Sequence, residues 1–267
     1  GGSMTNSGST IVARDQLTLD ASNSFNNLNA GLINAGGNLS LSALGDINNI
    51  GSAISGKTVT LESVTGSINN LTQAQQWDIT ATGYHSDVSI HGTTAGSTAS
   101  VTATDGLAMW AGQDLNVTGA NVAAGGSMAL AAGNDINISA NEIAQGYTGH
   151  GRGTTSVSSV SQQSSMLTAG GDLTLLAGND VTARAAGIAA EGDVGIQAGR
   201  DVNLLAEATS LASASKSKKK TSIDESVRQQ GTEIASGGNT VIIAGRDMNA
   251  EAADVTAQGD IGVAAGR

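Results

Sequence analysis

The sequence predicts an all-β fold, a right-handed parallel β-helix. This is a triangular solenoid with coils of roughly 20 residues and β-hairpin insertions on one corner. Three observations predict it. A glycine-bounded unit recurs along the chain, as in Gly126–Ile138, Gly170–Ala183, Gly192–Leu204 and Gly238–Met248. Within each unit, apolar residues alternate, the mark of strands with one buried face. Proline is absent, which suits a ladder in which nearly every backbone N–H must donate.

Each part of the unit has its own signal. The first strand is read from pairs such as Leu39/Leu41, Val59/Leu61, Leu107/Met109, Met128/Leu130, Leu173/Leu175, Val194/Ile196 and Val241/Ile243. A Gly-x-Asp corner follows at Gly112–Asp114, Gly133–Asp135, Gly178–Asp180, Gly199–Asp201 and Gly245–Asp247. There glycine is expected to take a positive φ, and Asp to bond its own backbone. The second strand carries Ile136/Ile138, Val181/Ala183 and Val202/Leu204, with Asn137, Thr182 and Asn203 pointing outward. One aliphatic residue closes the unit: Ile33, Ile54, Val122, Leu167, Ile188, Ile234 or Val255. One coil cannot bury its apolar face, but stacked coils bury a continuous column. The usual chirality of parallel crossovers makes the coil right-handed. About nine coils at about 4.8 Å give a rod of roughly 43 Å.

Taken in order, Gly1-Gly2-Ser3-Met4 reads as a cloning remnant and residues 5–267 as a single β-helix fragment, stopping mid-repeat at Gly266-Arg267. Residues 5–14 are a lead-in. The coils at 15–36, 37–56, 57–75 and 106–125 keep the period. Residues 76–105 run long by about ten, with the extra part expected near 91–99. The coils at 126–170 and 192–237 run long by about 25, through insertions near 141–165 and 206–232. Both return through similar segments, Leu167-Thr168-Ala169-Gly170 and Ile234-Ala235-Ser236-Gly237, so both leave from the same corner. Each is long enough for a hairpin. The single coil between them, 171–191, sets them about two coil steps apart, roughly the width of a hairpin. Two hairpins are therefore expected to pair edge to edge into a four-stranded sheet.

Composition narrows the function. The net charge of −11 argues against nonspecific nucleic-acid binding. Cysteine is absent, which removes disulfides, thiolate metal sites and cysteine nucleophiles together. No apolar run approaches the roughly 18 residues that a membrane-spanning helix needs.

Units such as Ala198-Gly199-Arg200-Asp201-Val202-Asn203 and Ala244-Gly245-Arg246-Asp247-Met248-Asn249, together with the Ser/Lys-rich stretch Ser213–Thr221, resemble the haemagglutinin repeats of filamentous haemagglutinin-like exoproteins. These are large surface proteins of Gram-negative two-partner secretion. The Ser/Lys stretch is most similar to the second, membrane-proximal repeat block of contact-dependent growth inhibition effectors. The resemblance implies a module secreted to the cell surface. It also implies contact with the outer membrane or lipopolysaccharide of a neighbouring bacterial cell while a toxin is passed, with the rest of the same filamentous chain as its other partner. The alternative is a filamentous adhesin or spacer repeat with no delivery role.

Each candidate site has a bland reading beside it. The corner series Asp114, Asp135, Asp180, Asp201 and Asp247 offers one carboxylate per coil, where calcium takes six to eight oxygens, so it reads as structural. The outward Asn116, Asn137, Asn203 and Asn249 read as a hydrogen-bonded ladder. Lys216, Lys218, Lys219 and Lys220 form a cationic cluster in an acidic chain, either a contact for envelope phosphates, at about 1 kcal/mol each, or a solvated loop. His85, His91 and His150 lack metal-ligand spacing. Trp77 and Trp110 read as packing residues, with a carbohydrate platform as the sharper option. Acids spread one per corner do not make the paired carboxylates of a glycosidase, so no catalytic residue and no cofactor is expected.

Overall fold

The computed structural model describes residues 2–266; Gly1 of the expected remnant and Arg267 of the expected mid-repeat stop lie outside the described residues. Three parallel sheets of nine strands each form a β-helix. The first face holds strands such as Leu39–Ala43, Met128–Ala132 and Thr240–Ala244. The second, an asparagine-rich face, holds Ile47–Ile50, Ile136–Ser139 and Val202–Leu205. The third, closing face holds Ala53–Gly56, Met166–Ala169 and Glu233–Ser236. The first ordered strand is Met4–Ser7, paired with Phe25–Leu28, so the solenoid's strands begin at Met4.

Leu41, Leu61, Met109, Leu130, Leu175 and Ile196 stack in one buried column inside the first face. Each such side chain contributes about 1.5–3 kcal/mol on burial. The last full coil departs from the expected register. Val194 and Ile196 stack on Thr240 and Ile242, which are buried, while Val241 and Ile243 face out. The glycines at 237 and 238 keep the corner in phase, and Thr240 is satisfied inside by Ser236, 2.8 Å between hydroxyls. Corner phase outranks the local apolar pair.

The Gly-x-Asp corners also differ from expectation. None of these glycines has a positive φ. A Cβ at Gly133, Gly178, Gly199 or Gly245 would instead lie 2.1–2.3 Å from the carbonyl oxygen of the glycine one coil below. The glycines form a column because the backbones touch. The aspartates bond forward along the rod and not to their own backbone. Asp114 accepts from the N–H of Asp135, Asp135 from Asp180 and Asp180 from Asp201, at 3.0–3.3 Å.

Left-handed residues sit at a different corner, between the asparagine face and the closing face: Gly51, Gly119, Ala185 and Ala252. Inside that corner runs a ladder that alternation alone does not reveal. Asn6, Asn27, Asn49 and Asn70 are buried and pass side-chain hydrogen bonds from coil to coil at 2.7–2.8 Å. Val117, Ile138, Ala183 and Leu204 take over the column in later coils. Outside, Asn26, Asn48, Asn69, Asn116 and Asn137 form a parallel ladder at 2.8–3.0 Å.

Candidate functional site

Three hairpins interrupt this rod: hairpin 1 (Ala74–Gly83 and Ser86–Ala95), hairpin 2 (Asn141–His150 and Thr154–Gln163) and hairpin 3 (Glu207–Lys216 and Thr221–Gln230). All three leave the asparagine face and return on the closing face. That is the corner which the intervening coils close with Gly119 and Ala185 in the left-handed conformation. Closed corner and hairpin alternate along this part of the rod.

The hairpins join into one antiparallel sheet of six strands, larger than the expected four-stranded one. The first insertion is not confined to residues 91–99: it is a full hairpin from Ala74 to Ala95. Its outgoing arm, Ala74-Gln75-Gln76-Trp77, follows the coil with no break in composition. Its tip, Tyr84-His85, has little of the usual turn chemistry, so the sequence reads there as coil. The sheet closes because two spacings agree. Each hairpin is two strands wide, about 9.6 Å, and successive hairpins sit two coil steps apart, also about 9.6 Å. Hairpin 1 meets hairpin 2 from Asp87↔His150 to Gly92↔Gln145. Hairpin 2 meets hairpin 3 from Thr154↔Lys216 to Val160↔Ser210.

Glycines inside the arms seat aromatic rings. Gly92 lies under the indole of Trp77, whose Nε1 donates to Thr94 Oγ1 at 2.9 Å. Gly146 lies under His91, and Gly149 under the phenol end of Tyr147. Ring-over-glycine packing restores contact that the missing side chain gives up. Trp110 is on the rod strand Leu107–Ala111, so the two tryptophans occupy different sheets and make no shared platform.

The tips of the three hairpins lie along one rim. Lys216 ends the outgoing arm of hairpin 3, and Ser217–Lys220 make its turn. Ser217 N donates to Lys220 O at 2.8 Å, and Lys220 N to Ser217 Oγ at 3.2 Å. Asp224 and Glu225 pair with Ser213 and Ala212 further down the arm. Among the described residues no carboxylate lies within ion-pair distance of the four lysines. Hairpin 2 brings Arg152 and His150 to the same rim; the sequence reading weighs His150 only as a metal ligand and does not join either residue to the lysines, which are more than 60 positions away. Five of the twelve Lys and Arg residues therefore gather at the tips of a chain of net charge −11.

Two of the rod's arginines are engaged by the corner aspartates. Arg200 binds Asp180 through two nitrogens at 2.7 and 3.1 Å, and Arg246 grips Asp201 in the same way. The hydrogen bond from Arg246 holds the Asp201 carboxyl below its ordinary value, and both guanidinium groups are raised.

The chain matches two haemagglutinin repeat profiles, one over residues 1–28 and 12–84, the other over 79–150, 145–212 and 212–267. Each match of the second profile starts within a hairpin arm or just beside one, so its repeat corresponds to two coils plus one hairpin. Across the whole chain it is 71% identical to the "16S rRNA endonuclease CdiA" of Enterobacter cloacae subsp. cloacae, 49% to a "tRNA nuclease CdiA" of Escherichia coli strain STEC_O31 and 36% to the "Deoxyribonuclease CdiA" of Dickeya dadantii. It spans 8% of the length of each. No solved structure matches it. The chain belongs to the haemagglutinin repeat family and is a repeat module of the contact-dependent inhibition exoprotein type, which is secreted to the surface of Gram-negative cells.

Proposed function

We propose that this module contacts the outer membrane of a neighbouring cell through the rim of its hairpin sheet and so assists delivery of a toxin carried elsewhere in the exoprotein. The observation that carries this reading is the charge segregation: five of the twelve Lys and Arg residues collect at the hairpin tips, while the rod keeps most of the acids and pairs Arg200 and Arg246 with two of them. An acidic rod is repelled by an anionic surface, and a basic rim is attracted to it. The molecule would therefore approach tips first. The nuclease activities in the relatives' names belong to those whole proteins; this stretch supplies a scaffold and a contact surface, and its own contribution is not catalytic.

The test is binding of labelled protein to Gram-negative cells, with and without residues 207–230 replaced by a short turn. Loss of binding, with the β-rich circular dichroism spectrum kept, supports the reading. Equal binding removes hairpin 3 as the contact and favours a spacer or adhesin repeat.

A further inference from the structure

The three tips enclose a cleft of about 450 Å³ that no single hairpin forms. Hairpin 3 lines it with Lys216 and Lys220, hairpin 2 with Tyr147, His150 and Thr154, and hairpin 1 with Val88. The other two lysines of the same turn, Lys218 and Lys219, do not line it. Gly149, Gly151 and Gly153 also line it; Gly151 is the open one, with no atom nearer than 4.0 Å to where a Cβ would stand, while Tyr147 covers Gly149 and the Lys216 carbonyl abuts Gly153. Tyr147 lies across Gly149 as one wall, and His150 Nδ1 is 3.2 Å from Thr154 Oγ1.

We propose that this cleft binds a phosphorylated sugar headgroup displayed on a lipid surface, an inference that rests on the envelope-contact reading above. Lys216 at the end of one arm, Lys220 in the turn that follows it, and the hydroxyl residues Thr154, Thr155 and Ser215 line the cleft. Diverging donors of this kind suit a tetrahedral phosphate with three acceptor oxygens. A planar carboxylate is better matched by the flat fork of a guanidinium, and the rim's one arginine, Arg152, is outside the lining. At Gly151 the open space left by the missing side chain lets a ligand approach the main chain closely. Tyr147 and Val88 add an apolar wall to a lining that is otherwise polar or glycine. The cationic rim around it raises the local concentration of anionic groups.

Position within the turn supplies the test. Lys216→Ser/Lys220→Ser and Lys218→Ser/Lys219→Ser each remove two charges, so attraction to a charged surface alone weakens equally in both. Binding is measured by sedimentation with phosphatidylcholine vesicles carrying either a diphosphorylated glucosamine-disaccharide lipid or phosphatidylglycerol at matched charge, after circular dichroism confirms folding. On the disaccharide-lipid vesicles, the first pair is expected to lose at least about tenfold more affinity than the second, since even one charge-assisted hydrogen bond is worth about that much. On phosphatidylglycerol the two pairs lose the same. Equal losses on both vesicles overturn the cleft and leave tip-first contact standing. A selective loss on both vesicles overturns the sugar headgroup. Failure of the unaltered protein to bind either vesicle overturns the cleft and the contact reading together.

Discussion

Replacing Gly178 with alanine tests how the rod is held together. The added Cβ would lie 2.1 Å from the carbonyl oxygen of Gly133, where ordinary contact begins at 3.4 Å. The two coils must part by about 1 Å at that corner. Three hydrogen bonds cross the same gap: Gly178 N to Ala132 O at 3.0 Å, Asn179 N to Asn134 O at 2.8 Å and Asp180 N to Asp135 Oδ1 at 3.1 Å. Weakening them costs about 0.5–1.5 kcal/mol each, and overpacking adds about 1–3 kcal/mol. The expected loss is roughly 3–6 kcal/mol, seen as a clear fall in the urea midpoint followed by circular dichroism. Gly195 is the control. It lies in the strand Val194–Ala198, and a Cβ there meets nothing closer than 4.0 Å. Gly195→Ala is expected to be neutral or stabilising by up to about 1 kcal/mol through the unfolded chain. Equal midpoints for the two variants would refute the backbone-contact account of the glycine column.

Asn49→Ala removes the middle of the buried ladder, taking one bond each from Asn27 Nδ2 and the carbonyl of Ser52 and leaving the buried Asn70 Oδ1 without its donor. Urea denaturation should show a loss of about 3 kcal/mol, whereas replacing all four ladder asparagines with valine should cost far less than four single changes added together. Deleting residues 171–191 should leave a continuous rod but bring hairpins 2 and 3 one coil step apart. A two-stranded hairpin cannot fit that gap, so hydrogen exchange should rise across Glu207–Lys216. The Asp201 carboxyl, titrated by carbon NMR, should have its midpoint below the ordinary carboxylate value and move up in Arg246→Gln. Because the folded value is the depressed one, its stabilising contribution is present above the ordinary range and fades as pH falls through the folded midpoint.

Repetition made the solenoid legible. Leu39/Leu41, Leu173/Leu175 and their equivalents recur with enough fidelity to place the inward face in most coils, and the repeated returns at Leu167 and Ile234 locate the corner from which hairpins leave. What repetition cannot carry is contact between coils. The glycine column depends on a carbonyl one turn away, so its reason looks like turn chemistry from within a single unit. Asn27 and Asn49 look like surface residues until their stacking partners are known. Thr240 is buried in place of Val241 because the corner, and not hydropathy, sets phase. At the candidate site, the lysines are conspicuous in sequence. His150, Arg152 and Tyr147 become neighbours of that cluster only through pairing between hairpins, which depends on the match of coil rise to hairpin width.

The central claim is that the rod stands off and the hairpin tips touch the membrane. The chain has no cysteine, so one introduced thiol gives one label. A fluorophore at Ser222→Cys near the tip of hairpin 3, or at Leu44→Cys on an exposed part of the rod, is placed against vesicles whose headgroups carry a nitroxide quencher. The account predicts strong quenching at the tip and little on the rod. Quenching on the rod equal to or greater than that at the tip would contradict it.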